Sequence, residues 1–155
     1  MTTATDTARE LTLTRIFDAP RSLVFQAWTD PELLAKWWGP KTFTNPVCEF
    51  DARPGGKIRI DMRAPHGTVY PMNGTVLEVV DGERLVFTSV AEDHDGNTLI
   101  EGRTIVAFED LGAKTKITIQ ARAAAIVPIA VEMLKGMEAG WTGSLEKLDA
   151  LVSAR

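Results

Sequence analysis

Two histidines, a single cysteine and one Gly-rich turn are the first places to look for chemistry in this 155-residue sequence. His66 stands in a Pro65-His66-Gly67 turn signal, and His94 lies between Asp93 and Asp95. Neither has a Cys, a second His or a paired carboxylate at metal-ligand spacing, so metal-dependent hydrolysis has no support and no metal is expected. The Asp93-His94-Asp95 triplet reads as a solvated hairpin tip rather than an ion site. Cys48 would need a neighbouring base or helix end to lower its pKa before its thiolate could attack. Neither histidine is close in sequence, and Val47 and Phe50 beside it point to core packing. No serine sits in a nucleophile elbow, and Ser144 falls on a helix. Arg53-Pro54-Gly55-Gly56 is shorter than a phosphate-binding loop and leads into a strand, which makes it a hairpin turn.

An acid or base remains to be sought inside the sheet. A carboxylate facing an apolar interior keeps its proton to higher pH and can serve in either role. Glu78 is the catalytic candidate, because it shares parity with Val76 and Val80. Leu77 and Val79 allow the opposite parity, and one bulge would exchange the two faces. Glu101 and Arg103 share a face opposite Gly102 and Thr104 and could form an outward row of ion pairs, a parity that the sequence leaves open.

The stronger pattern is apolar. Trp37 and Trp38 are adjacent, so on a helix they point about 100° apart. If one enters the core, the other turns toward solvent or a cavity mouth. With Trp141 they form the first group of candidate cavity residues. Met62, Met72, Met133 and Met137 form the second, since methionine offers a soft surface that adapts to varied neighbours. Ile60, Val76 and Phe87, apolar residues of the expected strands, complete the set.

The elements that must position these residues are legible. Residues 1–8 read as a flexible tail, and residues 9–155 as a single domain. Leu11 to Phe17 alternate as a first strand. Pro20 and then Thr29-Asp30-Pro31-Glu32 start two helices, the second with Asp30 as cap, Pro31 in the first turn and Glu32 at the positive end. That second helix carries Leu33, Leu34, Trp37 and Trp38 and stops at Gly39-Pro40. From Thr44 to Arg122 the period becomes two, with strands expected over 45–52, 57–64, 69–80, 84–92, 98–109 and 114–122. Short turns between them favour an antiparallel meander. About Pro128 to Val152 the sequence predicts one long amphipathic helix whose apolar arc includes Met133, Leu134, Met137, Trp141, Leu145 and Leu148. Gly136, Gly140 and Gly143 flank that arc. Each costs about 1 kcal/mol of helix propensity relative to Ala, so they imply either close approach of helix to sheet or room for a ligand.

Composition narrows the classes. Hydrophobic residues make up 45% and charged residues 25%, close to globular averages, which disfavours disorder and a membrane protein. The formal net charge is -4, and no basic stripe exists for a phosphate backbone, so nucleic acid is not an expected partner. One cysteine forms no internal disulfide, and no signal-peptide pattern or membrane-length apolar run is present. A cytoplasmic location is the expectation, with no membrane association.

Phe17-Asp18-Ala19-Pro20, Ala27-Trp28-Thr29-Asp30-Pro31-Glu32, Trp37-Trp38-Gly39-Pro40, Asp51-Ala52-Arg53-Pro54-Gly55-Gly56 and Gly140-Trp141 follow one another in order. Together they resemble the START-like (SRPBCC) superfamily, in the family related to the C-terminal domain of the heat-shock-protein-ninety ATPase activator. The resemblance runs from about Leu11 to Leu151. It implies an α+β helix-grip fold, a bent antiparallel sheet of six to seven strands wrapped on a long C-terminal helix, with two short helices after the first strand. It also implies a deep cavity between sheet and helix, which superfamily relatives use for lipids, sterols, plant hormones and polyketide-like intermediates. Some relatives are cyclases or dehydratases, so fold alone does not decide between binding and catalysis. The activator has a further N-terminal domain that engages the chaperone, for which this chain has no room, so chaperone binding is not expected. Binding of a small, mostly apolar ligand without a cofactor is the leading expectation. An enzyme acting on a hydrophobic carbonyl compound is the alternative, with an interaction module third. The convex sheet face, mixed apolar and polar, is compatible with a homodimer.

Overall fold

The computed structural model describes residues 8–93 and 95–153. Of the tail expected over 1–8, residues 1–7 lie outside the described residues, as does His94, and Ala8 already belongs to the first strand. The elements run β1 (Ala8–Phe17), α1 (Arg21–Thr29), α2 (Pro31–Leu34), β2 (Thr44–Phe50), β3 (Lys57–Arg63), β4 (Val69–Val80), β5 (Arg84–Glu92), β6 (Thr98–Asp110), β7 (Thr115–Ala125), α3 (Ala130–Lys135) and α4 (Met137–Ser153). The strands form one seven-stranded sheet in the order β1-β7-β6-β5-β4-β3-β2, antiparallel throughout. Strands β2 to β7 are a plain meander. β1 alone is remote, returning to pair with β7 from Ala8 opposite Ala124 to Phe17 opposite Thr115. This is an α+β helix-grip fold, with the bent sheet closed over the C-terminal helix.

Local chemistry explains most boundaries. Asp30 accepts a hydrogen bond from the Glu32 amide at 3.0 Å, and Pro31 occupies the first turn of α2. That helix is shorter than the sequence pattern suggests: beyond Leu34 the chain continues as hydrogen-bonded turns, with the amides of Trp37 and Trp38 both donating to the Leu34 carbonyl. The long C-terminal helix is also interrupted. Gly136, at φ -89° and ψ 2°, sits between α3 and α4, and these dihedrals leave the helical region.

The core lies on the inner face of the sheet. Register places Leu85, Val106, Ile119 and Leu13 in one cross-strand row, all buried. The next row is Phe87, Thr104, Ala121 and Leu11, and beyond it come Ser89, Gly102, Ala123 and, on the edge strand, the exposed Arg9. On β5–β7 side-chain bulk therefore falls from row to row toward one end of the sheet. Packing at the full end is tight, with Trp28, Trp37, Phe17, Leu85, Ile117 and Ile119 among the largest fully buried side chains. At the other end the inner face is stripped nearly to backbone.

Candidate functional site

The stripped end of the sheet leaves a cavity of about 220 Å³ between β5, β6 and β7 below and the C-terminal helices above. Ser89, Gly102, Thr104, Ala121 and Ala123 form its floor. Trp38, Trp141 and Phe87 form aromatic walls, and Leu134, Ile100 and four methionines fill in around them. Those methionines are Met62, Met72, Met133 and Met137, which is every methionine of the chain except Met1. Met133 is 40% exposed and stands at the rim.

The sequence candidates divide cleanly. Trp38, Met62, Met72, Phe87, Met133, Met137 and Trp141 line the cavity. Trp37, Ile60 and Val76 do not: each is fully buried in the core behind it. For Trp37 the reason is a hydrogen bond, since its indole N–H donates to the Ala27 carbonyl at 2.9 Å and holds the ring against Trp28, centroids 4.6 Å apart. The adjacent tryptophans thus split, one into the core and one onto the cavity wall.

Glu78 is corrected. A bulge between Val76 and Glu78 inserts one residue against β5, so Val76 pairs with Phe87 while Glu78 pairs with Val86. Parity reverses at that point. Glu78 is exposed and ion-paired with Arg84, and a carboxylate there cannot act on anything held in the cavity. Among the described residues lining the cavity only Arg122 carries a charge, and its guanidinium is exposed, 3.8 Å from the Glu10 carboxylate. Glu101 and Arg103 are exposed on the outer face.

The wall bearing Trp38 is held by side chains rather than by a regular element. Asn45 Nδ2 donates to the carbonyls of Ala35 and Trp38 at 3.0 and 2.9 Å. Ser144 Oγ donates to Gly39 O at 2.8 Å, and Lys147 Nζ to the carbonyls of Trp38 and Pro40 at 3.3 and 3.0 Å. These bonds engage the carbonyls of the turns after α2, of which that of Pro40 also accepts from the Phe43 amide. Burial draws the Lys147 ammonium below its ordinary pKa. Gly39 itself takes φ +85°, a left-handed conformation that ends the turn.

The helix glycines have two different causes. A Cβ on Gly143 would lie 3.3 Å from the Lys41 amide nitrogen, so this glycine allows close approach, though of the 40–41 loop rather than the sheet. A Cβ on Gly140 would meet nothing within 4 Å, and Gly140 lines the cavity. It leaves space there.

The remaining chemistry is quiet. Cys48 lies on β2 opposite Ile60 and packs against the core. Burial, with the Glu49 carboxylate adding to it, pushes its thiol up to about 11 from an ordinary value of 9.0. The thiolate fraction at pH 8 is then about a hundredth of that of an unburied thiol. Alkylation by iodoacetamide at that pH is expected to run about a hundredfold slower than for a small free thiol, followed by mass spectrometry; an equal rate would show the thiol to be solvated and ionisable. Among the described residues no group of three His, Cys, Asp or Glu side chains converges to hold a metal. His66 is exposed in the β3–β4 turn, where its ring nitrogen accepts from the Thr68 amide. Asp93 accepts the amides of Asp95 and Asn97, shaping its hairpin. No helix among the described residues is long and apolar enough to cross a membrane.

The floor residues are what the sequence reading missed. Their signal was present: Gly102 and Thr104 share parity with buried Val106 and Phe108, and Ala121 and Ala123 with buried Ile117 and Ile119. A run of small residues continuing a bulky inward face marks a void above it.

Comparison with known proteins agrees with this geometry. Residues 18–153 match the family model described as Activator of Hsp90 ATPase homolog 1-like protein. No curated protein matches the chain. Among solved structures, a Chromobacterium violaceum protein is 31% identical, with 92% of this chain and 96% of that one covered at a TM-score of 0.79. A Nitrosomonas europaea protein is 29% identical over 96% of each chain, TM-score 0.77. The AHSA1 protein of Silicibacter pomeroyi is 26% identical, covering 94% of this chain and 99% of its own, TM-score 0.80.

Proposed function

Since the chain belongs to the Activator of Hsp90 ATPase homolog 1-like family, within the START-like superfamily, we propose that it binds one small, mostly apolar molecule in the cavity between sheet and C-terminal helix. One observation carries the reading: the inner face of β5–β7 steps down from Val106 and Ile119 to Gly102 and Ala123 just where Trp38 and Trp141 stand opposite. A core selected only for stability would fill that space, because voids cost packing energy. The opening at Met133 gives a route in. The bulge that turns Glu78 outward removes the side chain on which an acid–base reading rested, and binding needs no such group.

The test combines two measurements on the full-length protein. Native mass spectrometry of freshly purified material is expected to show a one-to-one apolar adduct, released and identified on denaturation. Xenon, which enters dry apolar cavities whatever ligand they prefer, is expected to give a saturable ¹²⁹Xe NMR shift in adduct-free protein. Protein that carries no adduct and takes up no xenon would overturn the reading.

A further inference from the structure

Resting on that binding reading, we infer that the occupant is a neutral, planar molecule of about two fused aromatic rings, with one hydroxyl or carbonyl group on its edge. Charge is excluded first. Among the described lining residues the only charged group is Arg122, which by strand parity points to the opposite side of β7 from Ala121 and Ala123 and is exposed beside Glu10. A carboxylate or ammonium drawn into this cavity would lose its water and find no counter-charge among the described lining residues.

Shape follows from the floor. On Ser89, Gly102, Ala121 and Ala123 no side chain rises more than two heavy atoms above the backbone, so three neighbouring strands present a low, continuous platform. A flat molecule covers such a platform fully, whereas an alkyl chain touches it along a line. Above it, the rings of Trp38 and Trp141 have centroids 5.6 Å apart and planes inclined at 77°. A planar guest parallel to one of these rings meets the edge of the other, which satisfies both preferred aromatic geometries. The four methionines close the irregular outline with sulfurs that favour aromatic edges.

Size and polarity complete the description. An apolar protein cavity of about 150 Å³ holds one benzene, and the volume here is about 220 Å³, which suits a second fused ring. Two hydroxyls lie on the floor, those of Ser89 and Thr104, and no hydrogen bond to another described residue engages either. Ser89 is paired with Gly102, and Thr104 follows two positions on, so the two hydroxyls are diagonal neighbours on adjacent strands. Thr104 is only 5% exposed. A hydroxyl in so apolar a surround gains by meeting a polar group on the guest.

Titration calorimetry on adduct-free protein separates the possibilities. 2-Naphthol is expected to bind at least tenfold more tightly than 1-decanol, which has the same number of heavy atoms and the same hydroxyl, and than 2-naphthoate. Thr104→Val preserves shape and is expected to weaken 2-naphthol about tenfold while 2-methylnaphthalene, having no hydroxyl to lose, is unaffected. If 1-decanol or 2-naphthoate binds as well as 2-naphthol while xenon still enters, this inference falls and the binding reading stands. An equal affinity of 2-naphthol for Thr104→Val and the parent overturns the hydroxyl assignment. Absence of both xenon and all four compounds overturns inference and binding reading together.

Discussion

Trp28→Ala is expected to remove about 3–5 kcal/mol of folding stability, the largest loss for any single side chain of this domain. Trp28 is fully buried, and five aromatic rings surround it: Trp37 at 4.6 Å, Phe108 at 6.1 Å, Trp141 at 6.2 Å, and Trp38 and Phe87 at 6.5 Å. It therefore joins α1, the turn after α2, the sheet and α4 at one point. Domains of this kind carry about 5–15 kcal/mol in total, so the variant approaches the limit of folding at 37 °C. Urea unfolding followed by circular dichroism measures it. The Trp28 indole N–H is buried with no hydrogen-bond partner among the described residues, and such a donor costs about 1–3 kcal/mol. Trp28→Phe loses one ring but also this unpaired donor, so its net cost should be less than half that of the alanine variant. Equal losses from the two would mean that the N–H is satisfied after all.

Filling the cavity should act in the opposite sense, leaving the fold intact and abolishing binding. Ala121 is 5% exposed and sits mid-floor, between Thr104 on β6 and Leu11 on β1. Ala121→Leu adds three carbons pointing into open space rather than into packed neighbours. Overpacking a full core costs about 1–3 kcal/mol, but here the added atoms gain contacts, so stability should hold or rise. Affinity for the bound molecule should fall by at least two orders of magnitude, because the side chain occupies the guest's own volume. Retention of the native adduct by this variant, seen by mass spectrometry, would place the binding site elsewhere. A variant that loses both adduct and cooperative unfolding is answered by Gly140→Ala, which narrows the same cavity from the helix side without meeting any atom within 4 Å.

Much of this architecture is readable from residue order alone. The strand periods and turn signals place β2 to β7 within a few residues of their observed ends, because alternation and Gly-containing turns are local properties. The misses are those that depend on tertiary partners. The helix after Asp30 tightens into i→i+3 turns at Leu33 and Leu34, and side chains from elsewhere, Asn45, Ser144 and Lys147, cap the carbonyls of Ala35, Trp38, Gly39 and Pro40 that follow. The C-terminal helix breaks at Gly136, where helix propensity identifies a weak point but not the bend itself. Glu78 was undecidable in sequence, since a bulge is a property of two strands and not of one. The cavity was half legible: aromatic and methionine residues invite attention, while the small residues that create the space beneath them do not. A void is the absence of side chains, and its sequence signature is the unremarkable Ser89, Gly102, Ala121 and Ala123.

The pairing of β1 with β7 sets the order in which this chain can fold. Every other strand pair joins neighbours in sequence, but Phe17 meets Thr115 across nearly a hundred intervening residues. Closing so long a loop is slow, and it is rewarded only once β7 exists to receive the strand. During synthesis from the N-terminus, β1 must wait, unpaired, until the meander and then β7 have emerged. β7 and the helices that follow it arrive together, so the grip closes only once both have emerged. Until then the inner face of the sheet and the free edge of β6 are open to other chains. The newborn chain is most vulnerable to aggregation in the interval just before β7 and the helices after it leave the ribosome.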